Sequence, residues 1–144
     1  MVGFDARVVG ANVHANRLRR MRNAQYMQRE LVKELMVEGE EIRKEIQDSI
    51  RAGGIPSPNH VPSAPGQPPN ADTHNLDLSI DVRVPRASGR TSLVVIAQAE
   101  YAAALEFGTS RIAERPFMRP VFARRKDSVI QGMVRALRST VRIA

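Results

Sequence analysis

The stretch LDLSIDVRVPRASGRTSLVVIA, residues 76–97, decides the fold class. Leu76, Leu78, Ile80, Val82 and Val84 alternate with Asp77, Ser79, Asp81 and Arg83, the period of a strand with one buried face. Residues 85–90 contain Ser88-Gly89 and read as a turn. Thr91 to Ala97 then return Leu93, Val94, Val95 and Ile96 as a second strand, giving an antiparallel hairpin. Helical periodicity on both sides makes the expected fold α+β: a long N-terminal helix, a small antiparallel sheet of two to four strands, and a C-terminal helix. All 144 residues are read as one domain.

Upstream of the hairpin, Leu18, Met21, Met27, Leu31, Leu35, Gly39, Ile42, Ile46 and Ile50 keep mostly three- and four-residue spacing. They mark one apolar stripe on a helix that Asn12 or Asn16 caps and Gly53-Gly54 stops near Ala52. About 35 helical residues extend roughly 50 Å, longer than a domain of this size is wide. Part of the stripe is therefore expected to meet another subunit. Gly39 inside the stripe costs about 1 kcal/mol of helix propensity, which points to a close backbone approach there. Before the helix, Phe4, Ala6 and Val8 alternate as a short strand.

Downstream, EYAAALEFGTSRIAERPFMRPVF, residues 100–122, reads as a shaped corner. Tyr101 to Phe107 form a short helix closed by Gly108 in a left-handed conformation, and Thr109 and Ser110 start a turn. Pro116 and Pro120 stiffen the backbone and extend Arg115 and Arg119, so Phe117 and Met118 are presented on a rigid segment suited to docking. Glu106 opposes the dipole of its own helix and calls for a cation, with Arg111, Arg115 and Arg119 as candidates, within the subunit or across an interface. Pro120 opens the final helix, whose apolar face holds Val121, Phe122, Val129, Ile130, Met133, Val134, Leu137 and Val141.

Residues 53–70 contain Pro56, Pro58, Pro62, Pro65, Pro68 and Pro69 with few hydrophobes. Such a segment is an extended, semi-rigid loop, or an arm that orders on a neighbouring subunit. Charge is segregated as well. Residues 1–29 hold six arginines against Asp5, residues 30–50 hold seven acids against Lys33, Arg43 and Lys44, and residues 111–144 hold nine basic residues against Glu114 and Asp127. Opposite signs on different elements match helices within one subunit or one subunit to the next. Arg17, Arg19, Arg20 and Arg22, together with Arg124, Arg125, Lys126, Arg135 and Arg138, are candidate contacts to DNA phosphates or an acidic partner.

Composition narrows the function classes. Aromatics make up 4% of the chain and Trp is absent, so the core is aliphatic and association between subunits is favoured. The chain has no Cys, which removes disulfides and thiolate sites. His14, His60 and His74 have no metal-site spacing, no glycine-rich phosphate loop follows a strand, and Asp72, His74 and Ser79 lack an announced oxyanion hole. The reading is a non-enzyme without metal or cofactor. No apolar run approaches the roughly 20 residues that cross a bilayer and the N-terminus lacks a signal-peptide layout, so a soluble protein made in the cytoplasm is expected. Net charge is +7.

Tyr101 with Leu105-Glu106-Phe107-Gly108-Thr109, followed by Arg115-Pro116-Phe117-Met118-Arg119-Pro120, resembles the signature of the tail-component proteins of tailed bacteriophages. These form the tail-completion or neck family named for the tenth gene product of a lambda-like siphophage. Pro68-Pro69, Asp72-Thr73, Leu76 and Ser79-Ile80 are similar to that family's layout, and His74 departs from it where a Gly is more usual. The resemblance implies a structural virion protein in the neck, a homo-oligomeric ring around the DNA channel between head-tail connector and tail proteins. It implies no active site. Tyr101, Glu106, Phe107, Gly108, Thr109, Arg115, Pro116, Phe117 and Pro120 then form the docking loop. The rival readings are a tail terminator or minor tail protein, and a non-specific DNA-binding accessory protein.

Overall fold

The computed structural model describes residues 11–54, 58, 60–87 and 90–141. The expected strand at Phe4 to Val8 and the turn at Ser88-Gly89 lie outside the described residues. A helix α1 spans Ala11–Arg51, a single helical turn α2 spans Asn75–Leu78, and four short strands follow: β1 Ile80–Arg83, β2 Arg86–Ala87, β3 Arg90–Thr91 and β4 Val94–Ala97. Helices α3, Ala102–Phe107, and α4, Arg119–Val141, complete the α+β chain.

The hairpin forms as two antiparallel ladders, β1 with β4 and β2 with β3. Ile80 lies opposite Ala97 and Val82 opposite Val95, while Arg86 faces Thr91. The first strand is shorter than its alternation suggests. Leu76 is buried but Leu78 is 70% exposed, because residues 75–78 coil into α2 instead of extending. The cause is Asp77, which is fully buried with its carboxylate against Arg51 and 3.3 Å from His74 Nδ1, while its carbonyl accepts from Gln47 Nε2 at 2.8 Å. A strand would turn Asp77 away from α1; one helical turn keeps it there. The turn is entered through His74 at φ 58°, the left-handed region in which a Gly is unstrained.

α1 contains 41 residues and is about 60 Å long. It already includes Asn12 and Asn16, so neither is its cap. Its second half supplies Ile42, Ile46 and Ile50 to a core shared with Ala71, Leu76, Ile80, Ala102, Phe117 and Val121. Gly39 faces the sheet. A Cβ there would stand 2.5 Å from Val82 Cγ1 and 2.7 Å from Leu93 Cδ1, so the glycine makes room for side chains of the chain's own hairpin and not for the backbone approach expected from the sequence.

α4 runs antiparallel to α1 along an ion-paired seam. Arg124 meets Glu45 at 2.6 Å, Arg125 meets Glu41 at 3.1 Å and Arg135 meets Glu34 at 2.6 Å, while Ser128 Oγ donates to the buried Glu38. The acidic helix and the basic helix therefore match within one subunit. The apolar face expected on α4 divides in two: Val121 is buried and Val129 packs on the core, whereas Ile130, Val134 and Leu137 are exposed. Among the described residues nothing covers α1 beyond the end of α4, and every described side chain from Ala15 to Met27 is exposed.

The proline segment lies against its own chain over its described length. Ala71 N donates to Ile50 O, Asn70 Nδ2 to Val61 O, Gly66 N to Glu114 O, and Arg115 Nε to Ser63 O, at 2.8–3.0 Å. Its described part is a loop tied to its own chain by these bonds.

Candidate assembly joint

The corner from Tyr101 to Phe122 is organised by Glu106. Glu106 is 4% exposed, and its carboxylate accepts from three consecutive backbone N–H groups: Phe117 to Oε2 at 2.8 Å, Met118 to Oε2 at 3.0 Å and Arg119 to Oε1 at 2.8 Å. Those groups stand at the start of α4, where N–H groups have no carbonyl within the helix. Glu106 caps α4 from another helix, placing its charge at the positive end of the α4 dipole. Arg119 completes the arrangement with Nε 3.1 Å from Oε1 and Nη2 2.7 Å from the Glu106 carbonyl. Burial pushes the Glu106 carboxyl upward, but the three N–H groups and the Arg119 guanidinium together outweigh it and hold the pKa below its usual value.

Of the three cations that the sequence offers Glu106, only Arg119 reaches it. Arg115 is turned to Ser63 of the proline loop, and its backbone N–H donates to Leu105 O at 2.7 Å. Arg111 is exposed, and its N–H donates to Thr109 Oγ1. Thr109 Oγ1 also accepts from Ile112 N, and the backbone N–H of Thr109 donates to Ile112 O at 2.8 Å, which closes the turn. Gly108 has φ 72° and ψ 176°, a region open essentially to Gly alone, so it ends α3 by extension and not in the left-handed helical conformation. A Cβ there would also lie 3.0 Å from Ile112 O and Glu114 N.

The docking residues divide by exposure. Phe117 is 1% exposed and belongs to the core, so its presentation on a docking segment is corrected: the rigid corner buries it. Pro116 and Pro120 are partly buried at its sides. Phe107 is the aromatic that faces outward, 67% exposed, with the Arg119 guanidinium 5.2 Å from its ring centroid. It borders an apolar groove of about 380 Å³ formed with Val95, Ala97, Ala103, Met118 and Phe122. Tyr101 is half-exposed, its hydroxyl 3.5 Å from Asn75 Nδ2. The cap itself was missed in the sequence, because a link from residue 106 to residues 117–119 leaves no local pattern.

The basic candidates divide as well. Arg124, Arg125 and Arg135 are engaged by α1, so they do not form an open cationic face. Lys126 and Arg138 are exposed, and Arg19, Arg20 and Arg22 stand on the uncovered part of α1, with no ion pair among the described residues. The side chain of Arg17 lies outside the described residues. Among the described residues no group of three or more His, Cys, Asp or Glu is placed to hold a metal ion, and no helix is long and apolar enough to cross a membrane.

Comparison with protein-family models, with curated proteins and with solved structures finds no match.

Proposed function

We propose that the chain is a non-enzymatic structural protein of a tailed-phage particle. It completes the tail or joins head to tail in the neck, after synthesis in the host cytoplasm, as a homo-oligomeric ring around the DNA channel. The supporting observation is the Glu106 cap. The residues that carry the phage resemblance, LEFGT and RPFMRP, are the two halves of one hydrogen-bonded corner, which is what a fixed docking surface requires. Phe107 and the groove beside it supply the apolar contact, and the neighbours across it are the connector and tail proteins.

Two measurements test this reading. Mass spectrometry of purified particles is expected to find the chain at low copy number, and its absence would remove the proposal. Phe107→Asp, at a side chain that is 67% exposed, is expected to leave a folded subunit and produce unjoined heads and tails. Joined, infectious particles would count against docking through this face. Arg19, Arg20 and Arg22, which make no ion pair among the described residues, support a second reading, a DNA-binding accessory protein; it predicts duplex binding by the free subunit with a steep salt slope.

A further inference from the structure

The larger ladder has two strands, and β4 pairs with β1 alone among the described residues. In an antiparallel strand alternate residues turn their backbone groups to opposite edges, so Val94–Ala97 also present N–H and C=O groups on the edge away from β1. Among the described residues, no backbone group other than those of β1 bonds to them. The two strands differ in chemistry. β1 carries Asp81 and Arg83, charges of the kind that keep an edge from recruiting another strand, whereas Val94-Val95-Ile96-Ala97 has none. The apolar groove beside Phe107 runs along this β4 edge. Val95, Ile96 and Ala97 all line it, and because side chains alternate between the two faces of a strand, a cavity that meets three in succession lies along the edge.

Unpaired backbone groups beside an apolar groove suit an extended segment, whose backbone completes the ladder while alternate side chains enter the groove. The chain holds such a segment. Phe4, Ala6 and Val8 alternate with Asp5 and Arg7 in the pattern of a strand, and they lie outside the described residues. The β4 edge of their own subunit is out of reach. α1 starts at Ala11 and meets Val82 at Gly39, so about 42 Å of helix separates the start of α1 from Val82 and its partner Val95. Fully extended, the chain from Ala11 back to Phe4 spans no more than about 25 Å. We infer that residues 4–8 of one copy of the chain add as a third strand to the β4 edge of a second copy, with Phe4, Ala6 and Val8 toward the groove. The inference rests on the reading of the chain as a homo-oligomer and names a contact between its copies. Donor segment and receiving edge are different surfaces, so each copy gives to one neighbour and receives from another, as a ring requires. Phe107, on the α3 side of the groove, remains the part offered to connector and tail proteins.

The test has two parts, both on the full chain. The chain has no Cys, so single cysteines report contacts without background. Ala6→Cys and Val94→Cys are prepared as separate variants, mixed in equal amounts and treated with a short thiol cross-linker; the expected product joins one copy of each variant, in excess over like-with-like pairs. In the second part, Phe4→Asp with Val8→Asp is compared with wild type by native mass spectrometry, with circular dichroism to verify the helices. Two carboxylates against an apolar groove are expected to weaken assembly at least about tenfold. A doubly substituted chain that assembles like wild type, or a mixture without the mixed product, would overturn the added strand and leave the ring reading standing. A chain carrying both cysteines that cross-links within a single copy would overturn the exchange. A wild type of two copies that gives the mixed product would support a reciprocal exchange of strands and overturn the ring, and a wild type that stays monomeric would overturn both.

Discussion

The corner at Glu106 and the uncovered half of α1 both present arginines, and they differ in whether the chain answers them. At the corner, Arg119 has Glu106 at 3.1 Å and Glu114 at 2.7 Å, and the backbone on both sides is tied down. Along the first half of α1, Arg19, Arg20 and Arg22 have no acid beside them among the described residues. The corner is largely irregular backbone between α3 and α4, whereas the first half of α1 is continuous helix. The difference shows that this chain spends its acids on fixing the corner and the α1–α4 seam, and leaves a helical extension whose charge is available to a partner.

The strongest way to break this contrast is at Phe117, which anchors the corner to the core. Phe117→Ala is expected to cost about 3–5 kcal/mol, a large part of the roughly 5–15 kcal/mol that holds a domain together. Denaturant midpoints at constant m-value measure it. A loss below about 1 kcal/mol would mean that the corner is not seated in the core as described.

Glu106→Gln comes next, at about 2–3 kcal/mol, because an amide answers three converging N–H groups poorly and strands part of a buried set. The same variant exposes an acid dependence. The folded-state pKa of Glu106 lies below its ordinary value of 4.5, so its contribution is complete above that ordinary value and lost as pH falls through the folded value. Thermal scans from pH 6 to pH 3 should show a steeper loss in wild type than in Glu106→Gln; parallel curves would contradict the charge-based cap.

The smallest effect is expected at Leu18. In the isolated subunit, Leu18→Ala should change stability by no more than about 0.5 kcal/mol, since Leu18 is 66% exposed. A loss above about 1 kcal/mol in dilute, high-salt solution would show that the first half of α1 is packed at home, and the contrast would disappear.

Much of the architecture was legible because periodicity reports burial directly. The stripe from Leu35 to Ile50 is the buried edge of α1, and the hairpin register follows from Ile80 and Val82. Alternation misled at Leu78, where the demand to bury Asp77 beside Arg51 overrode the strand pattern, and on α4, where one apolar run serves two faces. At the site, the need of Glu106 for a cation was legible and Arg119 meets it. Its role as the cap of α4 was not, since it depends on two helices meeting in space. Phe117 was misplaced for a related reason: proline stiffness says that a side chain is held, and does not say on which side of the backbone it is held.

Gly39 gives the long helix a mechanical character. The helix is continuous from Ala11 to Arg51, so its exposed N-terminal half and Gly39 are points on one lever. At the fulcrum, Val82 and Leu93 stand so near that a single added carbon would collide with them. The packing is contiguous from there: Gly39 lies against Val82, Val82 pairs with Val95, and Val95 lines the groove beside Phe107.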